Sequence, residues 1–143
     1  MRGLFYHRRT RVSKHFVVTH ADWLEGGCWL TFDTYNFKPQ NLQEAYECVL
    51  EKWSLLASGQ FYLLGDGGSD SCGFCQYTES CRECPIYIAT SRRHVIGNVL
   101  GGCNATPYYH YPAAIRAKDQ QVAVVVAREM LEFLLTLEIP QEK

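Results

Sequence analysis

The sequence predicts a single α+β domain over residues 1–143, with a small N-terminal β-hairpin or sheet, two main helices and a zinc-clamped cysteine-rich loop between them. Three observations support this prediction: β-type residue patterns before residue 40, two amphipathic helical stripes, and a glycine- and cysteine-rich insert over residues 65–106 that separates the stripes. Two domains cut from this length would each struggle to bury a core. A composition of 47% hydrophobic and 20% charged residues excludes a disordered tail and a coiled coil.

The strands are predicted in the first forty residues. Residues 15–19 form a short run rich in β-branched and aromatic side chains, and residues 28–35 alternate between apolar and polar side chains. Gly26 and Gly27 precede the second run as a turn signal, and Pro39 closes the region. We therefore expect two short strands joined by a turn.

The first helix is predicted from Asn41 to Ser58. Asn41 suits the N-cap position, Glu44 suits a capping box, and Gly59 suits the left-handed position after the helix. Cys48 lies off the centre of the apolar stripe and is interpreted as a bystander rather than a ligand. The stripe itself consists of Leu42, Ala45, Tyr46, Val49, Leu50, Trp53, Leu56 and Ala57.

The second main helix is predicted over residues 113–137, after Pro112 as a residue of the first turn. Arg128 and Glu132 lie opposite its apolar face at a spacing of four residues. The run of valines over 124–126 leaves a strand open as an alternative there. The apolar face comprises Val122, Ala123, Val126, Ala127, Met130, Phe133, Leu134 and Leu137.

The insert over residues 65–106 has little apolar periodicity, so we expect a metal rather than a hydrophobic core to shape it. Two C-x-x-C pairs lie five residues apart within it, and a C-x-x-C turn lets two thiolates converge on one ion. Four thiolates complete a tetrahedral zinc site, which commonly supplies folding energy to loop-rich segments. The candidate ligands are Cys72, Cys75, Cys81, Cys84 and Cys103.

Several alternatives to this zinc site remain open. One four-thiolate set omits Cys81 and uses Cys103 instead, together with the first pair and Cys84. Cys84 followed by Pro85 also resembles the end of a ferredoxin-type run, which makes an iron–sulfur cluster an alternative cofactor. The polar, glycine-rich surroundings favour zinc over a buried redox cluster. Thiols without metal, or disulfides, are the remaining interpretation.

The order of these motifs resembles a group of small uncharacterised proteins encoded by phages, prophages and other microbial mobile elements. The shared features are a helical Lys52-Trp53 pair, C-x-x-C, C-x-x-C-P, Cys103 close to Thr-Pro-Tyr, and a closing helix. The resemblance covers about residues 44–139, and the segment 91–101 looks longer in this chain. It implies a five-cysteine metal core and a phage-like origin.

A basic segment over residues 1–15 offers a second kind of binding. It contains five of the fourteen basic residues and no acidic residue, so the rest of the chain is net acidic. A solvated surface segment is the favoured interpretation, and nucleic-acid binding is the alternative. The residues that would contact phosphates are Arg8, Arg9, Arg11 and Lys14.

A zinc deaminase is the enzymatic alternative. His20 and the first C-x-x-C could bind zinc, with Asp22 as the proton-shuttling carboxylate. That family uses Glu where Asp22 stands, and its mechanism has no place for a second C-x-x-C pair. The pattern therefore favours a protein that is not an enzyme.

The expected function is that of a non-enzymatic, zinc-containing binding protein in a bacterial cytosol. No export signal is recognisable, no apolar run approaches the ~20 residues that cross a bilayer, and paired thiols in a reducing compartment favour metal over disulfides. We expect the partner to be a host or phage protein, or alternatively nucleic acid, and not a membrane. An inhibitor of a host defence system, such as an anti-CRISPR protein, fits this description.

Overall fold

The computed structural model describes residues 9–20, 28–32, 38–62, 72–78, 83–91 and 106–139. The strands are β1 (Arg9–Arg11), β2 (Phe16–His20), β3 (Cys28–Phe32) and β4 (Phe61–Tyr62). The helices are α1 (Leu42–Ala57), α2 (Gly73–Tyr77), α3 (Pro85–Ser91), α4 (Tyr111–Arg116) and α5 (Gln120–Leu135), and a 3₁₀ turn (Pro107–His110) precedes α4. Helices dominate and strands accompany them, so the coarse α+β prediction holds.

The strands pair in the order β1-β2-β3-β4. The first two pairings are antiparallel, with Thr10 opposite Val18 and Val17 opposite Thr31. β4 runs parallel to β3 and places Phe61 opposite Cys28. β4 was not expected from the sequence, because two residues are too short a run to show periodicity.

The predicted stripe of α1 faces the core. Leu42, Ala45, Val49, Trp53 and Leu56 are buried there, and Asn41 caps the helix by accepting a 2.8 Å hydrogen bond from the Glu44 amide. Cys48, interpreted from the sequence as a bystander rather than a ligand, has no exposed surface and belongs to the core cluster. Position 48 lies on the border of the stripe, and α2 covers that border in the folded chain.

The predicted helix over residues 113–137 is divided in two. Lys118 adopts a left-handed conformation with φ 57° between α4 and α5, and Asp119 caps α5 by accepting a 3.1 Å hydrogen bond from the Val122 amide. The strand alternative for the valine run is wrong, because these residues lie within α5. Val122 was expected in the core but is exposed.

The two main helices pack against each other. Ala123, Ala127 and Leu134 of α5 are buried with α1, and the Tyr46 hydroxyl donates a 2.7 Å hydrogen bond to the Leu134 carbonyl. Trp53 forms edge contacts with the aromatic residues before and at the start of α4. Within the part of the chain that the structure describes, no helix combines the length and apolarity needed to cross a membrane.

The described parts of the insert 65–106 pack on the same core. Phe74 of α2 and Ile86 of α3 are buried, and Phe74 stacks on Tyr46 with ring centroids 6.2 Å apart. The expectation that apolar packing plays little part in this insert was therefore wrong for α2 and α3. Helices of five and seven residues are too short to show a helical repeat of apolar residues in the sequence.

A carboxylate of α1 holds the connection between β1 and β2. One carboxylate oxygen of Glu51 accepts a 2.8 Å hydrogen bond from the His15 amide and another from the Ser13 hydroxyl. Its other carboxylate oxygen lies 2.7 Å from His15 Nδ1. The His15 side chain is only 2% exposed, so this ion pair or hydrogen bond lies in the interior. It fixes the sheet to α1.

Replacing Glu51 with Gln keeps the side-chain shape but removes the charge and one acceptor oxygen. We expect the free energy of unfolding to fall by about 1–3 kcal/mol in denaturant titrations, because the backbone amide and imidazole lose a charged acceptor. The matched control is Glu47→Gln on the exposed side of α1, which we expect to change stability by less than about 0.5 kcal/mol. Equal losses of stability in the two variants would show that Glu51 does not hold the connection between β1 and β2 on α1.

Gly73 allows α2 to lie closely against α1. A Cβ atom at this position would stand 2.6 Å from the Ala45 carbonyl oxygen and 2.8 Å from the Cys48 Cβ. We expect Gly73→Ala to destabilise the protein by about 1–3 kcal/mol, since backbone must move to admit the methyl group.

Gly59→Ala is the comparison for this variant. Gly59 has φ 85°, but an added Cβ would meet only the Val124 side chain at an ordinary 3.6 Å. Its cost is therefore conformational, about 1 kcal/mol. Thermal unfolding of both variants checks the prediction, and a smaller loss in Gly73→Ala than in Gly59→Ala would refute the close approach.

Candidate metal site

Helix α2 brings the first C-x-x-C pair together. Cys72 occupies the N-cap position with extended backbone angles, and Cys75 lies in the first helical turn. The contact of Gly73 with Ala45 and Cys48 holds this turn on α1. The two thiols are therefore positioned by α1 as well as by their own short helix.

The Cys72 sulfur is surrounded by hydrogen-bond donors. The Cys75 thiol donates to it, the Lys52 ammonium attracts its negative charge, and the backbone N–H groups of Cys75 and Phe74 also donate to it. These interactions outweigh partial burial and lower the pKa of Cys72 from the 9.0 of an ordinary thiol to about 6. Cys72 is therefore a thiolate at neutral pH.

This pKa shift also links the thiolate to stability. Because the pKa is lower in the folded chain than in the unfolded chain, the thiolate contributes fully to the free energy of unfolding above pH 9.0. The contribution declines as the pH falls and is lost near pH 6.

Lys52 provides the positive charge. Its side chain is only 2% exposed, and its ammonium lies 5.2 Å from the centroid of the Trp53 ring. An ammonium group is seldom buried to this extent without anionic or π-electron neighbours. Lys52 was not expected to be a site residue, because in the sequence the Lys52-Trp53 pair is only one feature of the resemblance.

Cys48 is close to this pair but in the opposite ionisation state. Desolvation, followed by the charge of Glu51, raises the pKa of the Cys48 thiol far above its ordinary range. It remains a neutral, apolar side chain beneath Gly73. The site therefore contains two neighbouring cysteines in different states: Cys48 is a neutral thiol and Cys72 is a thiolate.

Cys84 lies at the start of α3 and is buried. No disulfide joins Cys48, Cys72, Cys75 or Cys84. Among the described residues, no three His, Cys, Asp or Glu side chains form a group that could hold a metal ion, so Cys84 does not complete one with the first pair. Cys81 and Cys103 lie outside the described residues, and the full ligand set stays a prediction.

Of the residues predicted to bind nucleic acid, Arg11 ends β1 and Lys14 lies in the connection between β1 and β2. The Arg11 guanidinium donates to the carbonyl of Ser13 at 3.2 Å and to that of Lys14. The Lys14 ammonium is 3.8 Å from a carboxylate oxygen of Glu44, and such surface pairs contribute little stability. Arg9 is part of β1, and Arg8 lies outside the described residues.

Only part of the deaminase alternative falls within the described residues. His20 ends β2, and Asp22 lies outside the described residues.

Comparison with protein-family models, with curated proteins and with solved structures finds no match.

The pKa of Cys72 can be measured by alkylation in the metal-free protein. We expect the rate of iodoacetamide labelling of the Cys72 peptide to reach half its maximum near pH 6, and Cys48 to remain unlabelled. Cys75→Ala should shift the midpoint upward, because it removes the strongest interaction, and Lys52→Met should shift it upward by less. A midpoint near 9 in all three proteins would contradict the thiolate.

Proposed function

We propose that this chain is a zinc-containing binding protein in which Cys72 and Cys75 are two of four thiolate ligands. The observation that carries the proposal is the cluster of donors on the Cys72 sulfur. Zinc binds the thiolate form of cysteine, and N–H groups directed at a sulfur stabilise that form before the ion arrives. The other two ligands come from the three cysteines Cys81, Cys84 and Cys103, and Cys84 serves only if metal binding brings it to the first pair.

Buried Lys52 supports this proposal through charge. Four thiolates around Zn²⁺ carry a net charge of about −2, and such a charge close to a protein core is costly without a counter-charge. The attraction between Lys52 and the Cys72 sulfur supplies one. Lys52 is thus a positioning and neutralising residue rather than a ligand.

The proposed zinc has a structural role. Helices α2 and α3 have only five and seven residues, which is too short to be stable without tertiary contacts. One ion bound by residues on either side of the segment between them would fix both helices on the core. This arrangement leaves the outer surface of the domain to make contacts with a partner.

The binding role follows from the resemblance to proteins of phages and prophages. We propose a host or phage protein as the partner in a bacterial cytosol, and inhibition of a host defence system, such as an anti-CRISPR activity, is the specific form of this role. A closed four-thiolate zinc site has no open position for substrate, which favours binding over catalysis.

Elemental analysis of the purified full-length protein tests the zinc site. We expect about one zinc per chain, loss of most of it in Cys72→Ser and Cys75→Ser, and retention in Cys48→Ala as the control. Cys81→Ser and Cys103→Ser distinguish the two ligand sets, because only the residue outside the set leaves the zinc content unchanged. Cobalt substitution should give the spectrum of a closed tetrahedral thiolate site.

Three outcomes would contradict this proposal. Freshly purified protein that contains no metal would refute the zinc site. Protein that contains iron and absorbs visible light would show that the cysteines bind an iron–sulfur cluster instead of zinc. Full zinc occupancy in both Cys72→Ser and Cys75→Ser would place the metal elsewhere.

A further inference from the structure

The solvent-facing side of α5 carries large apolar side chains that are exposed to water. Val122, Val125 and Leu135 are 44%, 50% and 61% exposed, although the same helix buries a continuous stripe on its opposite side. We call the exposed side the outer face of α5. Its members are Gln121, Val122, Val125, Arg128, Glu129, Glu132, Leu135 and Thr136.

The centre of the outer face follows a spacing of three and four residues. Val125, Arg128, Glu132 and Leu135 lie along one line at this spacing, which is the pattern of a helix–helix seam. An apolar residue stands at each end of the line, and two opposite charges stand in the middle. Read in reverse, the line has the same apolar ends but exchanged charges.

This pattern is complementary to itself only when two copies run antiparallel. We propose that two copies of this chain associate through the outer face of α5, antiparallel about a two-fold axis at the level of Met130. Val125 then lies opposite Leu135 of the second copy, and Arg128 lies opposite its Glu132. In a parallel arrangement each charge would face its like, which is destabilising.

A recess beside the outer face provides a place for the projecting leucine. It has a volume of about 390 Å³ and is lined by Tyr62, Gln120, Gln121, Val124, Val125 and Arg128. Leu135 stands ten residues from Val125, about 15 Å along the helix. In the antiparallel pair each Leu135 reaches the level of the recess on the other copy, so the contact forms twice.

The proposed contact is small and partly charged, so we expect a reversible dimer rather than a permanent one. Charged pairs of this kind chiefly determine register and orientation, and the apolar ends supply the attraction. The proposal does not depend on the zinc site, because none of the seam residues belongs to it.

Sedimentation equilibrium of the full-length protein from about 10 μM to about 1 mM tests the dimer. We expect concentration-dependent association in the native chain and a dissociation constant at least about tenfold higher in Val125→Asp, Arg128→Glu and Glu132→Arg. Arg116→Glu makes the same charge change on the exposed surface of α4 and should leave association unchanged.

Two further measurements separate the seam from a general loss of structure. The double variant Arg128→Glu/Glu132→Arg restores opposite charges only in the antiparallel arrangement, so its dissociation constant should return close to the native value. An equimolar mixture of the two single charge variants should also associate, because each then meets the opposite charge. Circular dichroism verifies that all variants keep their helices.

A native chain that stays monomeric to about 1 mM would overturn the proposal. A double variant that associates no better than the single variants would equally overturn the antiparallel register. An effect of Arg116→Glu as large as that of Arg128→Glu would assign the charge dependence to the whole surface instead of the seam.

Discussion

The arrangement of the thiols depends on the close approach of α2 to α1 at Gly73. A side chain there would collide with the Ala45 carbonyl, so this contact is open only to glycine. The approach buries Cys48, stacks Phe74 on Tyr46 and brings the N-cap of α2 within the field of Lys52. A helix of five residues has little stability of its own, and α1 therefore supplies the surface on which its C-x-x-C turn is ordered.

Two cysteines that flank this contact differ because their surroundings differ. Cys48 is buried in the core, where its charged form loses its hydration and is further disfavoured by the nearby charge of Glu51, so its pKa rises. Cys72 is also partly removed from water, but N–H and S–H donors together with an ammonium group stabilise its charge. The buried Lys52 in turn requires anionic or aromatic neighbours, and it has both in the Cys72 thiolate and the Trp53 ring. Lysine and thiolate are thus favourable together and costly apart.

Helix α5 shows where sequence patterns are informative and where they are not. Its inner stripe and that of α1 were predicted well, because apolar residues at helical spacing have few other interpretations. Its start was placed too early, since Lys118 carries no residue-type signal for a left-handed turn. Val122 was assigned to the core although it is exposed, because hydrophobicity alone does not show which side of a helix has a neighbour. Cys72 and Cys75 lie within one turn and contact each other, whereas Cys81 of the second predicted pair lies outside the described residues.

The sequence by itself determined the two main helices, the N-cap at Asn41 and the presence of a C-x-x-C thiol pair, because each depends on residues within a few positions of one another. Only the tertiary structure decided that Lys52 is buried beside Cys72, that Glu51 binds the turn at His15, and that Cys48 is inert. Lys52 and Cys72 are 20 positions apart along the chain, and His15 and Glu51 are 36 positions apart. The burial of Cys48 likewise depends on a surface formed by several elements. Burial and charge proximity are properties of the assembled surface, and no local pattern of residue types encodes them.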